Sequence, residues 1–99
     1  IRSNMKDVIV RNLEGRTGNA VPNQFVINVI TKDGGCIEYF QSYTSIIAKV
    51  DENGQHYLDK RYWDYSNTTG RYRNQYLNET RKETEKHIAD GTYKLVNLN

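Results

Sequence analysis

The 99-residue sequence has a single cysteine, Cys36, and no long run of apolar residues. One thiol cannot form an intrachain disulfide, so a reducing compartment is expected. A membrane-spanning helix needs about 20 consecutive apolar residues, and no segment approaches that length. No apolar run follows the first residues as it would in a signal peptide. These absences predict a soluble intracellular protein that does not engage a membrane.

The sequence also lacks a strong excess of charge, since 14 Lys and Arg residues stand against 12 Asp and Glu residues, a formal net charge of +2. Strong non-specific DNA binding requires the neutralisation of many phosphates, for which this excess is too small. A protein that imitates DNA would instead be strongly acidic. The chain is 36% hydrophobic, which suits one modest core and therefore one domain over residues 5–99. Residues 1–4 precede Met5 and are interpreted as a vector-derived remnant.

Motifs for catalysis and for metal or cofactor binding are missing as well. The pair Gly34-Gly35 is not followed by the lysine and helix of a phosphate-binding loop. Cys36, His56 and His87 are isolated in the sequence, whereas metal sites use clustered ligands at short spacings. Nucleophilic catalysis needs a nucleophile, a base and an orienting group, and nothing marks out such a set. We therefore expect a protein that is not an enzyme and that has no cofactor and no metal ion.

Six short segments have the β-branched composition or the two-residue alternation of strands. They are residues 6–12, 24–31, 36–42, 45–50, 56–59 and 92–98. In the second segment Phe25, Ile27 and Val29 recur at every other position, so this face is expected to be buried. Glycine-containing turns at residues 33–35 and 51–55 separate neighbouring segments, and such turns predict hairpins.

Two short helices are predicted before the last strand. The residues that can cap the first helix are Ser66, Thr68 and Thr69, and its body is residues 71–77. Thr80 and Glu83 have the spacing of a capping box at the start of the second helix, and Gly91 suits the left-handed residue after its end. The order of elements predicts an α+β fold with a mostly antiparallel sheet of about five or six strands and two short helices near the C-terminus.

Residues 13–23 are predicted to form a loop, which is long for a compact domain. This segment contains two glycines, two asparagines and Pro22, the only proline. Arg16, Asn19 and Asn23 are its candidate binding residues. Two interpretations remain open for residues 14–24, a passive connection and a binding loop.

Residues 61–76, RYWDYSNTTGRYRNQY, concentrate aromatic residues and arginine. Three interpretations are open: core and ordinary surface, a protein interface rich in Tyr and Arg, and a platform on which nucleic-acid bases stack. The residues expected in the core are Trp63, Tyr72 and Tyr76. Those expected on a contact surface are Arg61, Tyr62, Tyr65, Arg71 and Arg73.

Several longer segments together resemble a known family. They are GNAVPNQF at residues 18–25, YFQSYTSIIA at 39–48, YWDYSNTTGRYRNQYL at 62–77, KETEKHIADGTY at 82–93 and LVNLN at 95–99. The sequence is similar over these segments to a family of small proteins from bacteriophages and bacterial mobile elements, known only as a domain of unknown function. The resemblance implies expression in the cytoplasm of a bacterial host, and it carries over no activity and no catalytic residue.

The resulting expectation is a small phage-derived binding protein that sequesters or inhibits a host protein. An anti-defence factor, resembling anti-CRISPR or anti-restriction proteins, is the favoured form of this function. The alternatives are a protein that binds single-stranded nucleic acid and a sponge for a nucleotide signal. The partner and the oligomeric state are not predicted by the sequence.

Overall fold

The computed structural model describes residues 7–99. The predicted remnant at residues 1–4 and the first residue of the first predicted strand lie outside this range. The described chain forms one six-stranded sheet and two helices. The elements are β1 (Val8–Glu14), β2 (Ala20–Ile30), β3 (Cys36–Ser42), β4 (Ser45–Val50), β5 (His56–Asp59), α1 (Asn67–Leu77), α2 (Arg81–Ala89) and β6 (Tyr93–Val96). The predicted α+β class is confirmed.

The strands lie in the sheet in the same order as in the chain. Strands β1 to β5 pair antiparallel as a meander, because short turns such as those at Gly34 and Gly54 reverse the chain with a positive φ of 84° at each glycine. Strand β6 instead pairs parallel to β5, since a chain that returns through two helices re-enters the sheet from the same end. The prediction of a mostly antiparallel sheet is therefore confirmed.

Both helices pack on one face of the sheet, and the core lies beneath them. Val26, Phe40, Ala48 and Leu58 are in direct register on strands β2 to β5 and are fully buried. The ring of Phe40 stacks on that of Tyr76 of α1, with 5.0 Å between the ring centroids. This row of apolar side chains is the centre of the hydrophobic core.

The prediction of which face of β2 lies buried under the helices is wrong. Gln24 and Val26 lie under the helices with 1% exposure each, while Phe25, Ile27 and Val29 lie on the opposite face and are only partly buried. Alternation identifies a strand but does not say which face the helices cover. In this sheet apolar side chains occupy both faces of β2.

The sequence located both helices, but α1 begins at Asn67, four residues before its predicted body. Ser66 caps α1, since its Oγ accepts a hydrogen bond of 3.1 Å from the Thr69 amide. Thr80 and Glu83 form the predicted capping box at α2. Gly91 has the predicted positive φ, 85°, after the helix end. Neither helix of residues 7–99 has both the length and the apolar composition required to cross a bilayer.

The expected loop at residues 13–23 is largely strand. Strand β1 continues to Glu14 and β2 begins at Ala20, so only five residues connect them. The amide of Gly15 donates to the carbonyl of Asn19 at 2.8 Å, which closes the turn. Pro22 lies where β2 bulges away from β1, a place that tolerates its missing amide donor.

Asp59 holds the end of the sheet together although it is a buried carboxylate, 1% exposed. One oxygen accepts the amides of Arg61 and Tyr62, at 3.0 and 2.8 Å, and the other accepts the amide of Leu98 at 2.7 Å. Burial opposes ionisation, but the bonds from Leu98, Asn99, Tyr62 and Arg61 outweigh it and lower the pKa of Asp59.

We expect Asp59→Ala to lower the free energy of unfolding by about 3 kcal/mol, because three backbone amides lose a charged acceptor. Asp33→Asn, a change at an exposed turn carboxylate, serves as the control and should change stability little. Urea denaturation of the three proteins measures both effects. Equal stability of the Asp59→Ala variant and the wild type would contradict the role assigned to this carboxylate.

Candidate binding groove

An open groove of about 1400 Å³ runs along α1; we call it the α1 groove. The β1–β2 turn, the segment before α1, the exposed side of α1 and the start of α2 all contribute to it. Its charged lining residues are Arg16, Asp64, Arg71, Arg73, Glu79, Arg81 and Glu83, and Tyr65 lines it as well. The groove therefore brings together two segments that the sequence singled out separately, residues 14–24 and residues 61–76.

Arg73 forms the inner wall of the groove, and its side chain is fully buried. One guanidinium nitrogen, Nη1, donates to the Trp63 carbonyl at 2.7 Å and to Asp64 Oδ1 at 3.0 Å. The other, Nη2, donates to Asn74 Oδ1 at 2.8 Å. The guanidinium carbon also lies 5.1 Å from the centroid of the Trp63 ring, within cation–π range. These contacts fix the segment before α1 against the helix.

Asp64 connects the two helices across the groove. Its Oδ1 pairs with Arg73 of α1 at 3.0 Å. Its Oδ2 accepts from Nη2 and Nε of Arg81 of α2, at 2.7 and 2.8 Å. Arg81 also pairs with Glu85 one turn later at 3.1 Å. The hydrogen bond from Arg81 and then that from Arg73 hold the pKa of Asp64 below its usual value, against the opposing effect of burial. This carboxylate is therefore ionised, and both of its oxygens accept hydrogen bonds within the protein.

The other carboxylates of the groove are also held by partners within the protein. Glu79 accepts hydrogen bonds from the hydroxyls of Thr84 and Tyr93 at 2.6 and 2.8 Å. Glu83 belongs to the capping box of α2. Because these carboxylates already accept hydrogen bonds within the protein, they offer little to an incoming cation.

Two cations of the groove are available, in contrast. Arg16 and Arg71 are exposed, and neither forms an ion pair with another residue in the range 7–99. Arg71 lies over the ring of its neighbour Tyr72, 5.4 Å from the centroid, and its donors remain open to solvent. The groove therefore presents positive charge that the protein itself does not neutralise.

An exposed aromatic residue lies on the same groove. Tyr65 is 53% exposed, and the ring of Tyr62 meets it edge to face with 5.3 Å between centroids. Tyr62 itself packs against the core, and Arg61 lies over its ring at 5.3 Å. The ring of Tyr65 therefore packs against Tyr62 on one side, and its other side is exposed to solvent.

The groove contains part of the predicted contact surface. Arg16, Tyr65 and Arg71 lie on it together. The predicted residues that are not among its lining residues are Asn19, Asn23, Arg61 and Tyr62. The expectation that Arg73 is a surface residue is wrong, because its guanidinium is enclosed by Trp63, Asp64 and Asn74. Trp63, Tyr72 and Tyr76 pack against the core as expected.

Asp64 and Arg81 were missed as groove residues. Asp64 carries no distinguishing local pattern, and the charged face of α2 indicated ordinary solvation. Their meeting depends on the way α2 folds back beside the segment before α1. No signal in the sequence could have paired residues from these two places.

The face of the sheet opposite the helices is a second candidate surface, which we call the open face. One row across it has Ile27, Tyr39, Lys49, Tyr57 and Lys94 in direct register on strands β2 to β6. The Lys49 ammonium lies 5.9 Å from the ring centroid of Tyr39 and 5.4 Å from that of Tyr57. No helix of residues 7–99 covers this face. Its apolar side chains are partly buried because they pack against one another.

Fold and groove together define a small α+β protein with a meandering sheet, two helices on one face and a cationic groove beside them. The chain matches the model of a family of unknown function, DUF8033, over residues 8–91. It belongs to that family. No curated protein and no solved structure matches it.

The buried and exposed arginines of α1 should differ strongly in their effect on stability. We expect Arg73→Leu to lower the free energy of unfolding by about 3 kcal/mol, because it removes one partner of a buried ion pair and leaves the Trp63 carbonyl without its donor. Arg71→Leu is the matched control on the same helix and should change it by less than about 0.5 kcal/mol. Chemical denaturation measures both, and equal effects would contradict the assignment of Arg73 to the interior.

Asp64 should contribute to the dependence of stability on pH. Its pKa is lowered in the folded state, so its stabilising contribution is present above the unfolded value and is lost as the pH falls through the folded value. We expect the free energy of unfolding to fall less steeply below about pH 5 in Asp64→Asn than in the wild type. Urea denaturation at a series of pH values gives the two slopes, and identical slopes would contradict the prediction.

Proposed function

We propose that this protein is a small non-enzymatic binding protein that captures an acidic segment of a partner protein in the α1 groove. One observation carries the proposal: Arg16 and Arg71, which have no ion pair within residues 7–99, share one groove with the exposed ring of Tyr65. Tyrosine and arginine are the residue types most enriched among those that dominate binding energy at protein interfaces.

The charge of the groove favours an acidic partner. Its carboxylates are engaged by Arg73, Arg81, Thr84 and the capping box, whereas two guanidinium groups are free to pair. A guanidinium forms two parallel hydrogen bonds with a carboxylate, which adds geometric specificity to the attraction. A partner segment with Asp or Glu residues and one apolar side chain for Tyr65 would satisfy this surface.

The groove is also held in shape before any partner arrives. Arg73 and Asp64 fix its inner wall, and Gln75 of α1 donates a hydrogen bond to the Glu14 carbonyl, which ties the helix to the end of β1. A surface that is already ordered loses little conformational entropy on binding, so more of the contact energy appears as affinity. This rigidity suits a sequestering protein.

The proposed biological role is that of an inhibitor encoded by bacteriophages or bacterial mobile elements, acting in the cytoplasm of a bacterial host. The similarity of residues 18–25, 39–48 and 62–77 to such proteins supports this origin. A defence nuclease is the favoured target, since nuclease active sites hold their metal ions with carboxylates. A cationic groove is complementary to such a cluster of carboxylates when no metal ion occupies it.

Binding of single-stranded nucleic acid is a second candidate function, favoured by the row of Tyr39, Lys49 and Tyr57 on the open face. Bases can stack on tyrosine rings, with about 1–3 kcal/mol for each base, and the lysine can contact phosphate. This candidate uses a different face of the protein from the α1 groove, so the two functions can be tested separately.

The test of the leading proposal is co-purification of a tagged chain from bacterial lysate. We expect the wild type to retain a host protein, and the double variant Arg16→Glu/Arg71→Glu to bind it at least about 30-fold more weakly, the effect of losing 2 kcal/mol at an interface. The double variant Lys32→Glu/Lys82→Glu has the same change in charge at exposed positions that do not line the groove. It should bind as the wild type does.

Two outcomes would contradict the leading proposal. One is that the wild type retains no protein, and the other is that both double variants bind equally well. A short oligonucleotide that binds the wild type, with an affinity that falls steeply with salt and is lost in Tyr57→Ala, would instead favour the second candidate. A rise in melting temperature with a free nucleotide alone would indicate a nucleotide sponge.

A further inference from the structure

The turn between β3 and β4 has a tyrosine at a position where glycine is the favoured residue. The connection consists of Tyr43 and Thr44 alone. Tyr43 has a positive φ of 57°, whereas Thr44 is not among the residues of positive φ in the range 7–99. A two-residue connection with positive φ only at its first position is the type in which glycine is preferred there. A bulky side chain at this position strains the backbone.

Two hydrogen bonds hold the main chain of Tyr43 in this conformation. Its amide donates to the Asn23 carbonyl at 2.7 Å, and its carbonyl accepts from Nε2 of Gln41 at 2.6 Å. Asn23 also has a positive φ, 66°, which asparagine tolerates better than most residues. Asn23 was a candidate binding residue in the sequence and is not among the residues that line the α1 groove. The contact makes it a positioning residue for Tyr43.

The ring of Tyr43 contributes little to the core. Its side chain is 49% exposed. Within residues 7–99 it is not among the partly buried residues that pack against the hydrophobic core, which include Trp63, Tyr72 and Tyr76. A single exposed apolar residue needs no explanation, but one that also strains the backbone does. Strained residues cluster at ligand clamps and other functional sites, where the surrounding structure holds them in place.

Tyr43 lies beside the end of the α1 groove at which α1 begins. The hydroxyl oxygen of Ser42, the preceding residue, is 3.2 Å from that of Thr69 in the first turn of α1. Asn23, which holds Tyr43, is two residues away from Val21, and Val21 lines the groove. A segment that lies in the groove and extends past the N-terminal end of α1 therefore approaches Tyr43.

We infer that Tyr43 is a second aromatic contact for the partner segment captured in the α1 groove. The inference rests on the proposed function and adds to it the kind of segment that is recognised. Besides acidic residues for Arg16 and Arg71, the segment has one apolar side chain for Tyr65 and another for Tyr43. Tyrosine suits this role because its rigid ring supplies a large contact area at a low cost in conformational entropy.

Tyr43→Gly in the full chain separates recognition from folding. Glycine relieves the strain at this φ, and the relief outweighs the extra freedom that glycine gives to the unfolded chain. The melting temperature should therefore rise by about 4 °C. Thr44→Gly is the matched control in the same connection. It relieves no strain, so its melting temperature should not rise. Thermal unfolding followed by circular dichroism measures both changes.

The probe for binding is the host protein that the tagged wild-type chain retains from bacterial lysate. We expect Tyr43→Gly to bind this protein about tenfold more weakly than the wild type does. Tyr43→Phe keeps the ring and Thr44→Gly leaves Tyr43 in place, so both should bind as the wild type does. Isothermal titration calorimetry with the purified host protein gives the four affinities.

Three outcomes would contradict the inference, and they are distinguishable from one another. Equal binding by Tyr43→Gly and the wild type would overturn it and leave the proposed function intact. A lower melting temperature in Tyr43→Gly would show that the ring serves the fold, and would overturn the assignment of Tyr43 to recognition. A wild type that retains no protein would contradict the proposed function and this inference together.

Discussion

The buried guanidinium of Arg73 is the interaction on which the α1 groove depends. Burying a guanidinium is costly unless its donors find acceptors, and here Nη1 and Nη2 donate to Trp63, Asp64 and Asn74 while the buried Nε has no partner within residues 7–99. The segment before α1 must therefore wrap around the first turns of the helix. Asp64 is thereby held where Arg81 can reach it, so one arginine sets the position of both helices along the groove.

The second organising constraint is that the helices cover one face of the sheet and leave the other uncovered. Val26, Phe40, Ala48 and Leu58 form one row under the helices, and the opposite face remains open although it is also rich in apolar and aromatic residues. Within residues 7–99, two short helices cover only one face of the six-stranded sheet. The uncovered apolar area and the exposed edge at β1 are consequences of the same shortage of covering structure.

The candidate binding surfaces of the protein differ in the chemistry that they offer. The α1 groove offers free guanidinium groups and one aromatic ring, which suit carboxylates. The open face offers tyrosines that flank a lysine. These surfaces are distributed over different parts of the fold, so binding at one leaves the other accessible.

The sequence by itself determined the elements that depend on local chemistry. The turns at Gly34 and Gly54, the capping box of Thr80 and Glu83 and the strand at residues 56–59 were all predicted, because these signals act over a few residues. Only the tertiary structure decided that Phe25, Ile27 and Val29 face away from the helices, that Arg73 is interior, and that residues 13–23 are mostly strand. Each of these depends on which distant segment lies against it, and neither spacing nor composition encodes that choice. The α1 groove shows this dependence most clearly, because Arg16 and Arg71 line one groove only when the first hairpin and the first helix are packed together.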